Sequence, residues 1–421
     1  MLSKPSARLP KSIFWLIFLS FVIQLGLIGA LHEYRMRAGE DHFGFGFEMG
    51  RIARSITLGE GFSNPYGDHT GPSAWEPPLY PYLIGGVFKL FGIYTVASAW
   101  VLLSINSLFA SLTTIPVFLV GQRTFGPRVA MWSARAWALN PYVWYWSIHW
   151  IWDTTLTPLL LALAFFVALE LEHWPGLRGW VLFGILWGVA ALANPASLAF
   201  LPFCGLWVWS RRYRRGLPSV AGVVLSSLVF FAVLSPWLIR NYQVFGKFVF
   251  IRDDFGLQLR LGNNKFSDGM LFASLQPNLN PLESEYFKRM GELNYEAFCR
   301  QRAFDWIRAR PGRFAIISLK RFFYYWNGVP RPTNSVAPFD FRSSLFLASS
   351  VLAIWGAARA VRQNCPGAWL FAGLLITYPL VYYFVFPHAR YRHPIEPELF
   401  ILIVYLVLET GRRSPHRIGD S

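Results

Sequence analysis

Long apolar runs with almost no charge recur along this chain, and they leave few folds open to it. The first, 12–31, is long enough to cross a bilayer, which takes about 20 mostly apolar residues. Further runs near 95–121, 129–148, 154–172, 178–193, 196–210, 219–238, 344–361, 367–386 and 394–410 bring the expected number of spans to ten. In hydrocarbon the backbone must satisfy its own hydrogen bonds, so runs of this length become helices. The predicted fold is therefore an all-α polytopic membrane protein, a single domain over 1–421 that closes with a three-helix segment at 344–421. Of the 421 residues, 54% are hydrophobic and only 15% charged, against about a quarter charged in soluble domains.

The basic residues set the expected orientation. Lys4, Arg8 and Lys11 precede the first run, which lacks a clear small-residue cleavage site and reads as an uncleaved anchor. With that end cytoplasmic, the short inner loops carry Arg123 and Arg128, then Arg178, then Arg211, Arg212, Arg214 and Arg215, then Arg359 and Arg362. Arg412, Arg413 and Arg417 follow the last span, so both termini fall inside. The net charge of +16 is accounted for in this way, and no nucleic-acid motif accompanies it. Two shorter runs, 79–93 and 314–326, carry charge mid-segment and read as interfacial or re-entrant helices. Cys204, Cys299 and Cys365 fall in a helix, an outer loop and an inner loop, a pattern that implies no disulfide framework.

Two large segments remain on the outer side, 32–93 and 240–343, and long loops on one face usually carry function. In the first, Phe45, Met49, Ile52 and Ile56 recur at helical spacing, with Glu48, Arg51 and Ser55 opposite. This pattern predicts an amphipathic helix on the outer membrane surface, with Asp41 just before it. In the second, a charged helix is expected over 284–310, ended by Pro311-Gly312.

Four outer features carry candidate chemistry. They are Glu40-Asp41-His42 with Glu48 two turns on, Glu76 in Trp75-Glu76-Pro77-Pro78, Asp153 where the fourth span begins, and Arg390-Tyr391-Arg392-His393-Pro394. Asp41 and Asp153 each precede a helix and could be simple N-caps. Glu76 could be a partner of a helix dipole. Arg390 and Arg392 stand against the positive-inside bias, and a charge so placed wants a local anion. Outer carboxylates can act as a general base toward a hydroxyl, and arginines can hold a phosphate by paired hydrogen bonds. Together they point to group transfer from a lipid-linked phosphate.

With these motifs in order, the chain resembles the GT-C superfamily of membrane glycosyltransferases. The likeness is to bacterial glycosyltransferase family 39, related to protein O-mannosyltransferases and to the lipid A aminoarabinose transferase. It rests on Arg51-Ile52-Ala53-Arg54-Ser55, Gly59-Glu60-Gly61-Phe62, Pro77-Pro78-Leu79-Tyr80-Pro81 and Phe88-Lys89-Leu90-Phe91-Gly92. Pro236-Trp237-Leu238-Ile239-Arg240-Asn241, Phe245-Gly246, Gly262-Asn263-Asn264 and Arg390-Tyr391-Arg392-His393-Pro394-Ile395-Glu396-Pro397 complete it. The resemblance implies an inverting transfer of a sugar from a polyprenyl-phosphate carrier to a lipid, glycan or protein acceptor, at the periplasmic face of a bacterial inner membrane. Asp41 is the nearest match to the family's catalytic base. The chain departs from the commoner Asp-Glu-x-x-Tyr pattern, and Glu48, where that tyrosine would fall, is a rival.

Asp153 matches a second acidic position, and Glu76 one that helps bind a metal in the aminoarabinose relatives. The histidine partner of that site is not identifiable, so a divalent metal is left open and none is assigned. Arg240, Arg390 and Arg392, with Tyr391 between the last two, are the expected donor-phosphate contacts. A flippase for a lipid-linked sugar is the competing reading. It would be expected to show repeat symmetry or broken helices near the midplane.

Overall fold

The computed structural model describes residues 9–36, 43–67, 69–174, 176–328 and 341–410. Among them secondary structure is helical throughout apart from one isolated bridge between Ser63 and Pro72. The first helix, α1 (Lys11–Ala30), is followed by a 3-10 turn (Phe43–Phe45), then α2 (Glu48–Thr57) and α3 (Leu79–Phe91). The expected amphipathic helix is α2, but Phe45 sits in the preceding turn and Ser55 is buried rather than facing away. The reason is tertiary. α2 packs on α3, where the Thr57 hydroxyl donates to the Gly85 carbonyl at 3.3 Å, and 58–75 folds back so that Asn64 donates to the Ser55 hydroxyl at 3.1 Å. Both faces of α2 are thus covered by protein.

Proline and asparagine divide several of the predicted spans. α4 (Val96–Leu112) and α5 (Thr114–Phe125) part where Pro116 removes the amide that would bond to residue 112. α6 (Pro127–Ala138) and α7 (Pro141–His149) part at Asn140-Pro141, with the Asn140 side chain capping the Tyr142 amide at 2.8 Å. α8 (Leu156–Leu171) and α9 (Arg178–Ala193) follow. Asn194-Pro195 then starts a 3-10 turn, so the predicted 196–210 span becomes this turn plus α10 (Leu201–Tyr213). α11 (Val220–Phe245) outruns its prediction by seven residues and carries Pro236 inside it. It crosses α9 closely because Gly184 and Gly188 sit at the contact. A Cβ on Gly184 would meet the Ser226 carbonyl at 2.5 Å, and one on Gly188 would meet Val233 Cβ at 2.7 Å.

The second outer segment holds α12 (Phe255–Gly262), α13 (Pro281–Met290), α14 (Glu292–Ala309) and α15 (Pro311–Asn327). The single charged helix expected over 284–310 is two, because Gly291 at φ +73° turns the chain between them. Pro311 ends nothing by itself; it is the first residue of α15. The chain closes with α16 (Phe341–Arg362), α17 (Ala368–Thr377), α18 (Leu380–Phe384), α19 (Ala389–Arg392) and α20 (Glu396–Thr410). Among the described residues, four helical stretches are long and apolar enough to cross a membrane: Lys11–Ala30, Val96–Phe125, Val220–Phe245 and Ser343–Arg362. The other predicted spans are filled by shorter or interrupted helices. All three cysteines are free.

One buried cation ties the second outer segment to the C-terminal helices. Arg321 of α15 is fully buried and donates to the carbonyls of Gly262, Gly269, Tyr383 and Phe384 and to the Asn263 side chain. The backbones meet so closely here that a Cβ on Gly262 would lie 1.8 Å from the Val385 carbonyl. Gly262→Ala should therefore force the two backbones apart and cost about 1–3 kcal/mol or more. The expected result is a lowered melting temperature in detergent; an unchanged one would show that the junction relaxes freely.

Candidate functional site

Three junctions, two through the backbone and one through a side chain, bring distant segments to one place. The Ile151 amide donates to the Gly44 carbonyl at 3.0 Å, and Gly46, at φ +79°, lies so near Ile151 that a Cβ would meet its carbonyl at 2.7 Å. This seats the entry to α2 on the 150–155 turn. Asn106 of α4 holds the same turn by donating to the Trp150 carbonyl at 2.8 Å, and it accepts from Tyr80 at 2.7 Å. At the second junction the Asp253 amide donates to the Ala74 carbonyl at 2.9 Å, and Arg252 Nε donates to the Trp75 carbonyl at 2.8 Å. At the third, Arg390 lays its guanidinium over the Trp152 ring, 4.1 Å from the centroid.

The ionisable groups at these junctions face one another. Arg252 bridges two carboxylates, Glu76 at 3.2 Å and Asp254 at 2.7 Å. The second oxygen of Glu76 has no hydrogen-bond partner among the described residues, and neither does Nη1 of Arg390. Asp153 accepts from Asn194 at 2.9 Å and from the Thr157 hydroxyl at 3.2 Å. It is not the N-cap of α8, because it takes side-chain donors while α8 begins three residues later. Glu48 accepts from Asn278 of the second outer segment.

Burial raises the pKa of Glu48, and Arg51, Arg252 and Arg390 pull it back down. Burial also raises Asp153, opposed by Arg390, Asn194 and Arg252. Glu76 is pushed up to about 8 by burial, with Glu48, Asp254 and Asp153 adding like charge and Arg252 opposing. Burial pulls down the pKa of Arg252, but Asp254 and Glu76 more than offset that, so this guanidinium stays charged. Four carboxyls, those of Glu48, Glu76, Asp153 and Asp254, and the guanidiniums of Arg51, Arg252 and Arg390 thus share one electrostatic neighbourhood. Such a site can take a proton on a carboxyl and hold an anion on an arginine.

The residues predicted from sequence divide into two sets. Glu48, Glu76, Asp153 and Arg390 come together. Asp41 lies outside the described residues. Arg240 does not join them: it donates to the carbonyls of Ser73 at 2.6 Å and Phe62 at 2.7 Å and lies over the Trp237 ring at 4.9 Å. Its donors clamp the first outer segment to the end of α11. Arg392 turns the other way, buried against α16. It binds Glu396 at 2.7 Å, Ser350 at 2.6 Å, Ser349 at 2.9 Å and the Phe346 carbonyl at 3.1 Å. All three of its guanidinium nitrogens donate there. Tyr391 stacks on Tyr382 at 4.7 Å and supports the turn that carries Arg390.

Sequence reasoning passed over Arg252, Asp254, Asn194 and Asn278. The charged triplet Arg252-Asp253-Asp254, directly after the apolar Phe248-Val249-Phe250-Ile251, was a signal for the first two. Asn194 and Asn278 carried none, since isolated asparagines mark turns everywhere. Among the described residues no group of three His, Cys, Asp or Glu is arranged to hold a metal ion. Glu76 and Asp254 share the Arg252 cation.

The helical fold is similar to that of solved GT-C membrane enzymes. Residues 75–239 match the family described as dolichyl-phosphate-mannose-protein mannosyltransferase, a stretch that holds Glu76 and Asp153 but not Glu48, Arg252 or Arg390. Among solved structures, the oligosaccharyltransferase of Archaeoglobus fulgidus in complex with Zn and sulfate aligns over 94% of this chain and 49% of its own. The TM-score is 0.54 at 16% identity. The same enzyme tethered with an acceptor peptide containing the NVT sequon gives 95%, 50%, 0.53 and 15% in the same order. ArnT from Cupriavidus metallidurans bound to undecaprenyl phosphate aligns over 95% of this chain and 77% of its own, with a TM-score of 0.39 at 13% identity. The chain spans about half the length of the archaeal enzyme. No curated protein matches its sequence.

Beside the site, Glu292 of α14 accepts from the Ala74 amide at 2.5 Å, while its other oxygen is buried with no partner among the described residues. Burial raises its pKa from the ordinary 4.5 to about 8, with Asp253 adding to the rise. The folded chain therefore keeps a proton between those values that the unfolded chain releases, and stability falls as pH rises from about 5 to about 8. Glu292→Gln keeps the acceptor and removes the titration. The melting temperature of the variant should decline less over that range than that of the wild type, and equal declines would contradict the assignment.

Proposed function

We propose that this chain is a glycosyltransferase that moves a sugar from a polyprenyl-phosphate donor to a hydroxyl acceptor at the outer, periplasmic face of a bacterial inner membrane. The observation that carries the reading is the meeting of Arg252 and Arg390 with Glu48, Glu76 and Asp153 between the two outer segments. The donor's tail lies against the spans and its phosphate meets the guanidiniums, where the partnerless Nη1 of Arg390 is available to it. The acceptor is a lipid, glycan or protein hydroxyl entering from the aqueous side. Glu48 or Asp41 takes the hydroxyl proton as the oxygen attacks the anomeric carbon. The carbon–oxygen bond to phosphate breaks in the same displacement, inverting the anomeric centre and releasing polyprenyl phosphate. Asp153, held by Asn194 and Thr157, orients the acceptor.

Charge stabilisation of the leaving phosphate by Arg252 and Arg390 takes the place of an acid catalyst. That both arginines lie beside carboxylates is consistent with this. In the free enzyme the carboxylates neutralise the guanidiniums, and the donor phosphate competes for them on binding. Glu76 then loses part of its compensation, and with its pKa already raised to about 8 it takes up a proton beside the incoming anion.

The test is transfer of radiolabelled sugar in membranes charged with polyprenyl-phosphate sugars. Wild type should label an acceptor, and Glu48→Gln or Asp153→Asn should lower the rate by about 100-fold or more. Arg252→Ala and Arg390→Ala should do so mainly by weakening donor binding. Full activity of Glu48→Gln would move the base to Asp41. Movement of intact donor across the bilayer without transfer would support the flippase reading instead.

A further inference from the structure

The amide of Asn278 is used at both ends, and between opposite charges. Nδ2 donates to Glu48 Oε1 at 2.5 Å, across 230 residues of chain, while Oδ1 accepts from Arg51 Nη1. Arg51 also reaches the Pro65 carbonyl at 3.5 Å. Only an amide offers a donor and an acceptor side by side without charge, and the reversed orientation would set like poles together at both contacts. The turn that carries it is itself fixed. The amides of Leu279 and Asn280 donate to the Gln276 carbonyl at 3.0 and 2.9 Å. Asn280 caps α13 by accepting from the Leu282 amide at 2.9 Å, and it donates to the Ser274 carbonyl at 2.7 Å. One turn into α13, Glu283 is gripped by both Nη atoms of Arg260 at 2.8 and 2.7 Å and by the Tyr295 hydroxyl at 2.8 Å.

We propose that Asn278 is the positioning residue for Glu48, holding its carboxylate in one orientation and favouring its ionised form. The proposal deepens the transferase reading and rests on Glu48 as the base of that reaction. The other charged groups around Glu48 are Arg51 on its own helix, Arg252 from the segment after α11 and Arg390 from the last outer turn. Glu76 and the Tyr66 phenol, both from the first outer segment, face it as well. The guanidiniums attract the anion without directing it. The amide adds a directed donor from a separate part of the chain, so the second outer segment sets the geometry of a group borne by the first.

The test is an infrared pH titration of the full chain in lipid nanodiscs. The protonated-carboxyl band that vanishes in Glu48→Gln is assigned to Glu48. In Asn278→Ala its midpoint should rise by about one pH unit or more, because a donor to the charged form is lost. Asn278→Asp keeps the size of the side chain and sets a second carboxylate against the first, so it should raise the midpoint further. Asn278→Gln, with the same amide on a longer stem, should restore part of the difference. The acid limb of the transfer rate should move to higher pH in step with these midpoints.

A midpoint unchanged in both Asn278→Ala and Asn278→Asp, with the protein still folded, overturns the proposal. Shifted infrared midpoints with full transfer by Glu48→Gln would sustain the link between the two residues while removing Glu48 from the chemistry. The failure of the transfer reading is thus distinguishable from the failure of this one.

Discussion

The Arg252 guanidinium joins the two long segments that carry the candidate site. It binds the Trp75 carbonyl and Glu76 from one outer segment and Asp254 from the other. Charge-assisted bonds of this kind are about twice as strong as neutral ones, and removing one partner of a buried pair is far more damaging than the pair is stabilising. The consequence is geometric. Once Arg252 is in place, the backbones of 73–75 and 251–254 lie side by side, and Glu76 is drawn toward Asp153 and Glu48. Three carboxyls near one another would repel, and Arg252 with Arg390 makes their proximity tolerable.

The arginines of the outer face illustrate how one residue type is put to different uses. Arg240 and Arg321 spend their donors on backbone carbonyls and asparagine side chains, and Arg392 on serine hydroxyls, a carbonyl and Glu396. They are clamps, and each joins elements far apart in sequence. Arg252 and Arg390 instead meet carboxylates or an aromatic face, and Arg390 keeps an Nη without a partner among the described residues. The planar five-donor fork of arginine suits both tasks, which is why a count of outer arginines could not separate them.

Much of the helical framework was readable in advance, because hydrophobic length and the placement of basic residues are written locally. The boundaries were less so. Pro116 and Asn194-Pro195 break their helices where proline chemistry requires, yet the charged stretch of the second outer segment was read as one helix when Gly291 makes it two. Of the candidate site, Glu48, Glu76, Asp153 and Arg390 were legible as charges standing on the outer side. Arg252 was visible only as part of a charged triplet, and Asn278 could not be found, since nothing in a polar turn announces a partner 230 residues away.

Residue order alone settled that this chain forms apolar helices and, to within a few residues, where several of them begin and end. Those properties follow from hydrocarbon solubility and from backbone hydrogen bonds that close within a few residues. Which of the outer charges face one another, and which are consumed as internal clamps, was settled by packing. An arginine is attracted equally by every carboxylate and carbonyl in a sequence, and only the folded chain, by setting distances and excluding water, selects among them.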